Sequence, residues 1–313
     1  MSEYAIMQKG AIVFGTAYDE NFTPHTTFTE SIGGLEAFKG SKYVQSVVGR
    51  DTFRQIKRFL DQGRFVVYIG TPCQIAGLLT YLGGDYSNLL TVDLICHGVA
   101  PVRYFCDEIA EVRKRLGRKG RSLSNVRFRG NDGYNYRMTF WDGLGRRLES
   151  RKLRGENLYF AGFLRGIILR ENCYACPYAR PERISDLTLG DFIGLGKTVP
   201  FPENAHNVSS VMLNTDKARA FYADMLAHMP DVVSIERDYA ERLEYRPSLR
   251  EPFARHPLNR RFRDYYQKFG YVVAIQKTLA GRLRWERVHR NCVAVCRFPV
   301  RAMRKIYRYL RRV

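Results

Sequence analysis

Two apolar segments, each running directly into a helical pattern, constrain this chain more than any other feature. RFVVYIG (residues 64–70) reads as a fully buried strand, and TPCQIAGLLTYLG (71–83) turns straight from it into a helix. LLTVDLICHG (89–98) repeats the plan with a buried strand and a polar loop, followed by a helix from about Val102 to Leu116. Alternation of this kind predicts a parallel α/β layer. Ligands of such sheets sit outside the carboxyl ends of the strands. Cys73 and Cys96 both fall on that rim.

The flanking segments extend the pattern. Ala11 to Ser46 is short and strand-like (AIVFGTAYD, TTFTE) and ends in the polar loop GSKYVQS. In Asp51–Gly63, Phe53, Ile56, Phe59 and Leu60 recur at helical spacing, with Asp51 at the N-cap position and Gly63 at the stop. NVRFRGNDGYNYRMTFWDGLGRRLESRKL alternates around Asp132-Gly133 and Asp142-Gly143, which predicts antiparallel hairpins. ENLYFAGFLRGIILRENC reads as an apolar helix, VSSVMLNT as a strand and DKARAFYADMLAHM as a helix. The chain becomes Arg/Tyr-rich and helical from about Asp238. The expected fold is α/β: a parallel-sheet core with helices, an antiparallel hairpin insertion and a basic helical C-terminal segment. The expected division is residues 1–237 and 238–313.

At 313 residues and 45% hydrophobic content the chain can bury a substantial core. No apolar run reaches the length of a membrane span, and MSEYAIMQKGAIVFG lacks the features of a secretory signal. A cytoplasmic location is expected. There, seven cysteines read as thiols or metal ligands rather than disulfides.

Thiolates bind soft metals and iron–sulfur clusters, which need four converging ligands. Cys173 and Cys176, as C-x-x-C, place two sulfurs on one side of a turn, and Cys73 and Cys96 would complete the set. Cys106, on a helical stretch, reads as a small packed hydrophobe. Cys292 and Cys296 stand four apart on the basic tail. His97 reads either as a ligand or proton donor, the one catalytic candidate, or as a hydrogen-bonded structural residue.

Four blocks, GSKYVQS, GTPCQIAGL, DLICHGV and ENCYACPYARPERISDLTLGDF, closely resemble the coenzyme F420 hydrogenase/dehydrogenase beta subunit family, in the family's order. The resemblance implies an iron–sulfur flavoprotein that uses FAD to pass electrons between a cluster and a deazaflavin (coenzyme F420) or other acceptor. It implies a 4Fe–4S cluster on Cys73, Cys96, Cys173 and Cys176, flanked by Arg180, Arg183 and Asp186, with Gly190 allowing close backbone approach. Lys42, Tyr43, Gln45 and Ser46, with Gly70, Thr71 and Gln74, match its flavin-facing positions. A lysine and a helix start suit an anionic pyrophosphate or a reduced flavin. The implied partner is a redox protein such as a ferredoxin, and bacterial relatives are frequent in surface-polysaccharide gene clusters.

Some features depart from that family. The chain has no cysteine before Cys73, lacks the family's Ser-Gly-Gly stretch and the helix that precede the VFGTAYD region, and carries Ile193 where members commonly have Trp. It reads as beginning inside the family's domain. Two other classes therefore stand beside an oxidoreductase: a non-catalytic partner or assembly subunit, and a zinc-stabilised nucleic-acid-binding protein. No nucleic-acid-binding signature accompanies the charge, so no specific nucleic acid is expected.

The net charge of +20 is concentrated at one end: residues 277–313 hold twelve Lys/Arg against the single acid Glu286. From Leu283 onward apolar residues recur mostly at three- and four-residue steps, broken at Pro299. A basic amphipathic helix of this kind could lie on the inner face of an anionic membrane or dock an acidic partner. It could equally cover its own domain with solvated guanidinium groups.

Overall fold

The computed structural model describes residues 1–129, 137–152, 156–201, 208–285 and 288. Its main sheet joins β1 (Ile12–Tyr18), β2 (Pro24–Thr29), β3 (Val66–Gly70), β4 (Leu89–Leu94), β8 (Leu187–Asp191) and β9 (Ser209–Leu213) in the order β2-β1-β3-β4-β8-β9. The four central strands are parallel, and β2 and β9 run antiparallel at the two edges.

Apolar residues alternate between two cores because each central strand is covered on both faces. Ile12, Phe14, Val66 and Tyr68 join one core with α2 (Thr52–Asp61) and α3 (Pro72–Leu82). Val13, Val67, Leu90 and Val92 join the other with α1 (Ser2–Lys9) and α6 (Asp216–His228). Each fully buried Phe or Ile contributes about 1.5–3 kcal/mol relative to exposure.

A third core lies between α4 (Val102–Leu116), α5 (Leu158–Leu164), α8 (Leu258–Ile275) and a second sheet, β5 (Leu123–Arg127), β6 (Arg137–Asp142) and β7 (Arg147–Lys152), which is antiparallel throughout. The expected α/β class with an antiparallel insertion is present. Helical structure after residue 238 also holds, in α7 (Tyr239–Glu244) and α8. Phe262, Tyr271, Ile275 and Leu279 of this segment are buried with Phe105 of α4 and Phe160 of α5.

Several local expectations need correction. Helix α5 stops at Leu164 rather than running on to Cys173. Gly166 takes φ +63, and a Cβ there would meet the Phe253 ring at 2.3 Å, so the helix cannot continue. Asp51 occupies the N-cap of α2 without capping it, because its carboxylate accepts from Arg54 instead, at 3.2 Å. Helix α1 and the short 3-10 segment Gly33–Phe38 were not anticipated. The turn at Asp132-Gly133 lies outside the described residues, whereas Asp142 accepts from the backbone N–H groups of Leu144 and Arg146. Among the described residues, no helix is long and apolar enough to cross a membrane.

Candidate functional site

The rim cysteines are positioned by strand ends and short turns. Thr71 N-caps α3 through a capping box with Gln74, and Pro72 occupies the first turn. Cys73 therefore stands in the first turn of α3. Thr71 Oγ1 and Cys73 Sγ share a hydrogen bond of 3.2 Å. Cys96 follows β4, the neighbour of β3, and the Gly98 N–H donates to its sulfur at 3.4 Å.

Cys173 and Cys176 arrive on a 3-10 turn, Glu171–Ala175, and its end. Arg170 N–H donates to the Val99 carbonyl at 2.8 Å, which ties this turn to the loop after Cys96. Gly98 makes the approach close: at φ +113, a Cβ would stand 2.8 Å from Leu169 Cδ1 and 3.3 Å from Cys173 Cβ. Sequence reading missed Gly98, although a glycine two residues after a rim cysteine is the signal to look for.

The charges of the other three cysteines bear on Cys96. Burial pushes the Cys96 thiol up to about 12; the Gly98 hydrogen bond opposes it, and Cys173, Cys73 and Cys176 each add to the rise. Burial also raises Cys173, against a backbone hydrogen bond at Val99, with Cys176 and Cys73 adding to it. Such a set is costly to ionise unless a cation or cluster shares it. Among the described residues, no group of three or more His, Cys, Asp or Glu is placed to hold a metal ion. Four thiolates are the donor set of four-cysteine zinc sites and of iron–sulfur clusters alike. Cys106 lies elsewhere, half-buried on α4, and Cys292 and Cys296 are outside the described residues.

His97 sits beside Cys96 but faces the third core. Its ring contacts Phe253 and Phe163 at centroid distances of 4.4 and 5.0 Å, and Nε2 lies 3.3 Å from the Phe163 carbonyl. Burial pushes it down to about 4, the Phe163 carbonyl opposes this, and the charge of Arg246 adds to the fall.

The residues matching flavin positions form one connected loop and helix start. Gln74 Nε2 donates to Ser46 Oγ at 2.7 Å, its Oε1 accepts from the Thr71 N–H at 2.9 Å, and the Gln45 N–H donates to Ala100 O at 2.9 Å. A Cβ on Gly70 would meet Gln74 Oε1 at 3.1 Å. Lys42 Nζ donates to the carbonyls of Ala37, Phe38, Lys39 and Gly40 at 3.2–3.4 Å and lies 5.4 Å from the Tyr18 ring centroid. Burial, with the charge of Arg127, pushes Lys42 down to about 8. The Tyr43 ring packs on Phe128, Phe160 and Phe163, and its hydroxyl accepts from Arg129 Nε at 3.2 Å.

The residues expected beside the cluster serve the sheet in this structure. Arg183 donates to Asp93 Oδ2 at 2.6 Å and to the Tyr178 carbonyl at 3.1 Å. Asp186 accepts from the Thr91 N–H and hydroxyl and from the Thr215 hydroxyl, each at 2.8 Å, with Lys217 Nζ at 3.2 Å. Gly190 lets its strand approach Ile95, whose Cδ1 would stand 2.8 Å from an added Cβ. Arg180 is exposed, and its carbonyl accepts from Arg183 at 3.5 Å. Sequence reading did not foresee Arg129, which grips Asp191 through both of its Nη atoms and holds that carboxyl below its usual range.

A family model for the C terminus of the coenzyme F420 hydrogenase/dehydrogenase beta subunit matches residues 63–234, more than half of the chain. Among solved structures, the xenon-derivatised F420-reducing NiFe hydrogenase complex from Methanosarcina barkeri is similar at 14% identity and a TM-score of 0.46, over 72% of this chain and 70% of that one. A search of curated proteins finds no match.

Proposed function

The chain belongs to the coenzyme F420 hydrogenase/dehydrogenase beta subunit family, and from that premise we propose that it is an iron–sulfur, FAD-dependent oxidoreductase. In this reading Cys73, Cys96, Cys173 and Cys176 hold a 4Fe–4S cluster. The observation that carries it is the meeting of two cysteine-bearing loops at one sheet rim: the Arg170 N–H donates to the Val99 carbonyl at 2.8 Å, and a Cβ on Gly98 would stand 3.3 Å from Cys173 Cβ. A bound cluster supplies one-electron exchange. The chain's own residues set the conditions for that exchange. Gly98 lets the two cysteine-bearing loops approach closely, and the first turn of α3 positions Cys73.

FAD is proposed at the Lys42–Ser46 loop and the start of α3, joined by the Ser46–Gln74 hydrogen bond. Lys42, held by four carbonyls, would supply positive charge to the anionic part of FAD. The proposed electron partner is a ferredoxin-like protein, and coenzyme F420 is the less favoured acceptor. A role in surface-polysaccharide synthesis at the inner membrane face, aided by the basic tail, is part of the same proposal.

Anaerobic purification tests it. The expected result is a brown protein with stoichiometric iron and acid-labile sulfide, and Cys176→Ser should lose most of both. Colourless protein that takes up no iron on reconstitution, or full iron content in Cys176→Ser, would overturn the cluster reading. FAD titration should show binding weakened by Lys42→Ala, and equal affinities would displace the flavin from this loop.

A further inference from the structure

Residues 253–263 lie beyond the span matched to the family, and they touch both cysteine-bearing loops. Phe253 packs its ring on His97, the residue after Cys96, at a centroid distance of 4.4 Å. The same ring sits against Gly166, where an added Cβ would meet it at 2.3 Å. The C-x-x-C turn is held from Arg255 and the start of α8. Arg255 donates to both carboxylate oxygens of Glu171, and its guanidinium carbon lies 4.5 Å from the Tyr174 ring centroid. Arg263 Nη1 donates to Glu171 Oε2 at 2.6 Å.

Burial decides which of these contacts matters most. Side-chain exposures of 44–54% leave the charges of Arg255, Arg263 and Glu171 open to solvent, where ion pairs contribute little. Asn259, in the first turn of α8, is only 2% exposed, and its whole amide is engaged. Oδ1 accepts from Arg255 Nη1 at 3.0 Å, while Nδ2 donates to the Ile167 carbonyl at 2.8 Å and to the Tyr174 hydroxyl at 3.1 Å. The Ile167 carbonyl can only accept, which fixes the orientation of the amide. The Tyr174 hydroxyl donates in turn to the Gly166 carbonyl at 2.6 Å. Tyr174 stands between Cys173 and Cys176, so this chain of bonds anchors the middle of the turn that carries both thiols. A bond lost from such a buried network leaves its partners unsatisfied and costs more than one lost at the surface.

We propose that Asn259 is a positioning residue for the C-x-x-C turn, holding Cys173 and Cys176 through Tyr174 while Phe253 of the same segment packs on the residue after Cys96. The C-terminal segment is then part of the cysteine site as well as of the third core. The proposal rests on the four-cysteine reading in taking this turn as a ligand loop. Groups that orient metal-ligating residues also help to retain what those residues bind, so the network acts on cluster retention and on thiol exposure alike.

Full-length apoprotein, reduced and chelator-treated, is alkylated with iodoacetamide at fixed pH, and mass spectrometry follows each cysteine separately. Cys106 on α4 is the internal control: α4 packs on α8, with Tyr104 against Phe262 at 5.2 Å, so general loosening of α8 would expose it too. Asn259→Leu should raise the Cys173 rate about tenfold, the effect on local opening of losing roughly one hydrogen bond. Tyr174→Phe, which removes one hydroxyl, should raise it to a similar extent. The double variant should add little, because the two side chains act through one chain of bonds. Cys106 should keep its wild-type rate in all three. Tyr174→Phe is the deciding variant if Asn259→Leu does not fold. A Cys173 rate equal to wild type in the folded variants, or an equal rise at Cys106, would overturn the proposal. Iron uptake on reconstitution is scored separately: wild type that takes up none refutes the cluster reading, whereas alkylation of the apoprotein still reads the hold on the turn.

Discussion

The Arg183 guanidinium donates to Asp93 Oδ2 at 2.6 Å with side-chain exposures of 3% and 0%. The pair fastens β4, which leads into Cys96, to the segment that follows Cys176. Burial raises the Asp93 carboxyl, with Arg183 opposing. Removing one partner of a buried pair costs about 3–5 kcal/mol because the other charge stays behind. Arg183→Met should therefore destabilise by about that amount in urea unfolding at neutral pH. The cost should shrink in acid, where Asp93 takes up a proton, and a loss below about 1 kcal/mol would refute the argument.

Gly98 joins the two cysteine loops by backbone conformation alone. Gly98→Ala would place a Cβ 2.8 Å from Leu169 at a φ of +113, with strain of about 1–3 kcal/mol. Gly98 borders the third core through Leu169 and not the two cores of the main sheet, so far-ultraviolet circular dichroism should be largely retained while iron content falls sharply. Full iron retention would show that the loop accommodates the change.

Lys42 has its pKa lowered from 10.5 to about 8 by burial. The unfolded chain therefore binds more protons in that window, and Lys42 contributes a rise in stability from about pH 8 to about 10.5, with the penalty fully present below pH 8. Lys42→Met should flatten that part of the wild-type curve. FAD bound nearby would favour the charged amine and also reduce the slope. Parallel pH curves for wild type and variant would remove Lys42 as the source.

Local signals account for what was legible. Helix α3 has Thr71 at its N-cap, Pro72 at its start and Gly83 in the left-handed region at its end, so its limits could be read directly. Helix α4 runs from Val102 to Leu116, as its periodicity predicts. Helix α1 escaped notice because it is short and buries only Tyr4 and Ala5. The helix through Ile167 was overextended because its apolar residues continue past Gly166, whose contact with Phe253 depends on tertiary structure. Within the site, C-x-x-C and the strand ends pointed to the cysteines. The partners of Arg183 and Asp191 lie 90 and 62 residues away in sequence, and nothing in a lone charge names its partner.

Glu108 supplies the clearest pH test because its carboxyl is buried between α4 and α8. It accepts from Tyr271 Oη at 2.8 Å and from Asn157 Nδ2 at 3.3 Å. Burial raises its pKa above 4.5, and the Tyr271 hydrogen bond, the charges of Arg115 and Arg151, and Asn157 offset only part of that rise. The folded protein thus keeps this proton to higher pH than the unfolded chain. The stabilisation is complete below about pH 4.5, declines as pH rises toward the folded pKa, and levels off beyond it. Glu108→Gln cannot ionise and preserves an oxygen to accept from Tyr271. Its stability relative to wild type should therefore grow with pH from about 4.5 upward and then reach a plateau. Glu108→Leu removes the same titration but leaves the Tyr271 hydroxyl without this acceptor, at a cost of about 1–3 kcal/mol. Urea midpoints across this range separate the two effects. A constant difference between Glu108→Gln and wild type would show that Glu108 titrates alike in the folded and unfolded states.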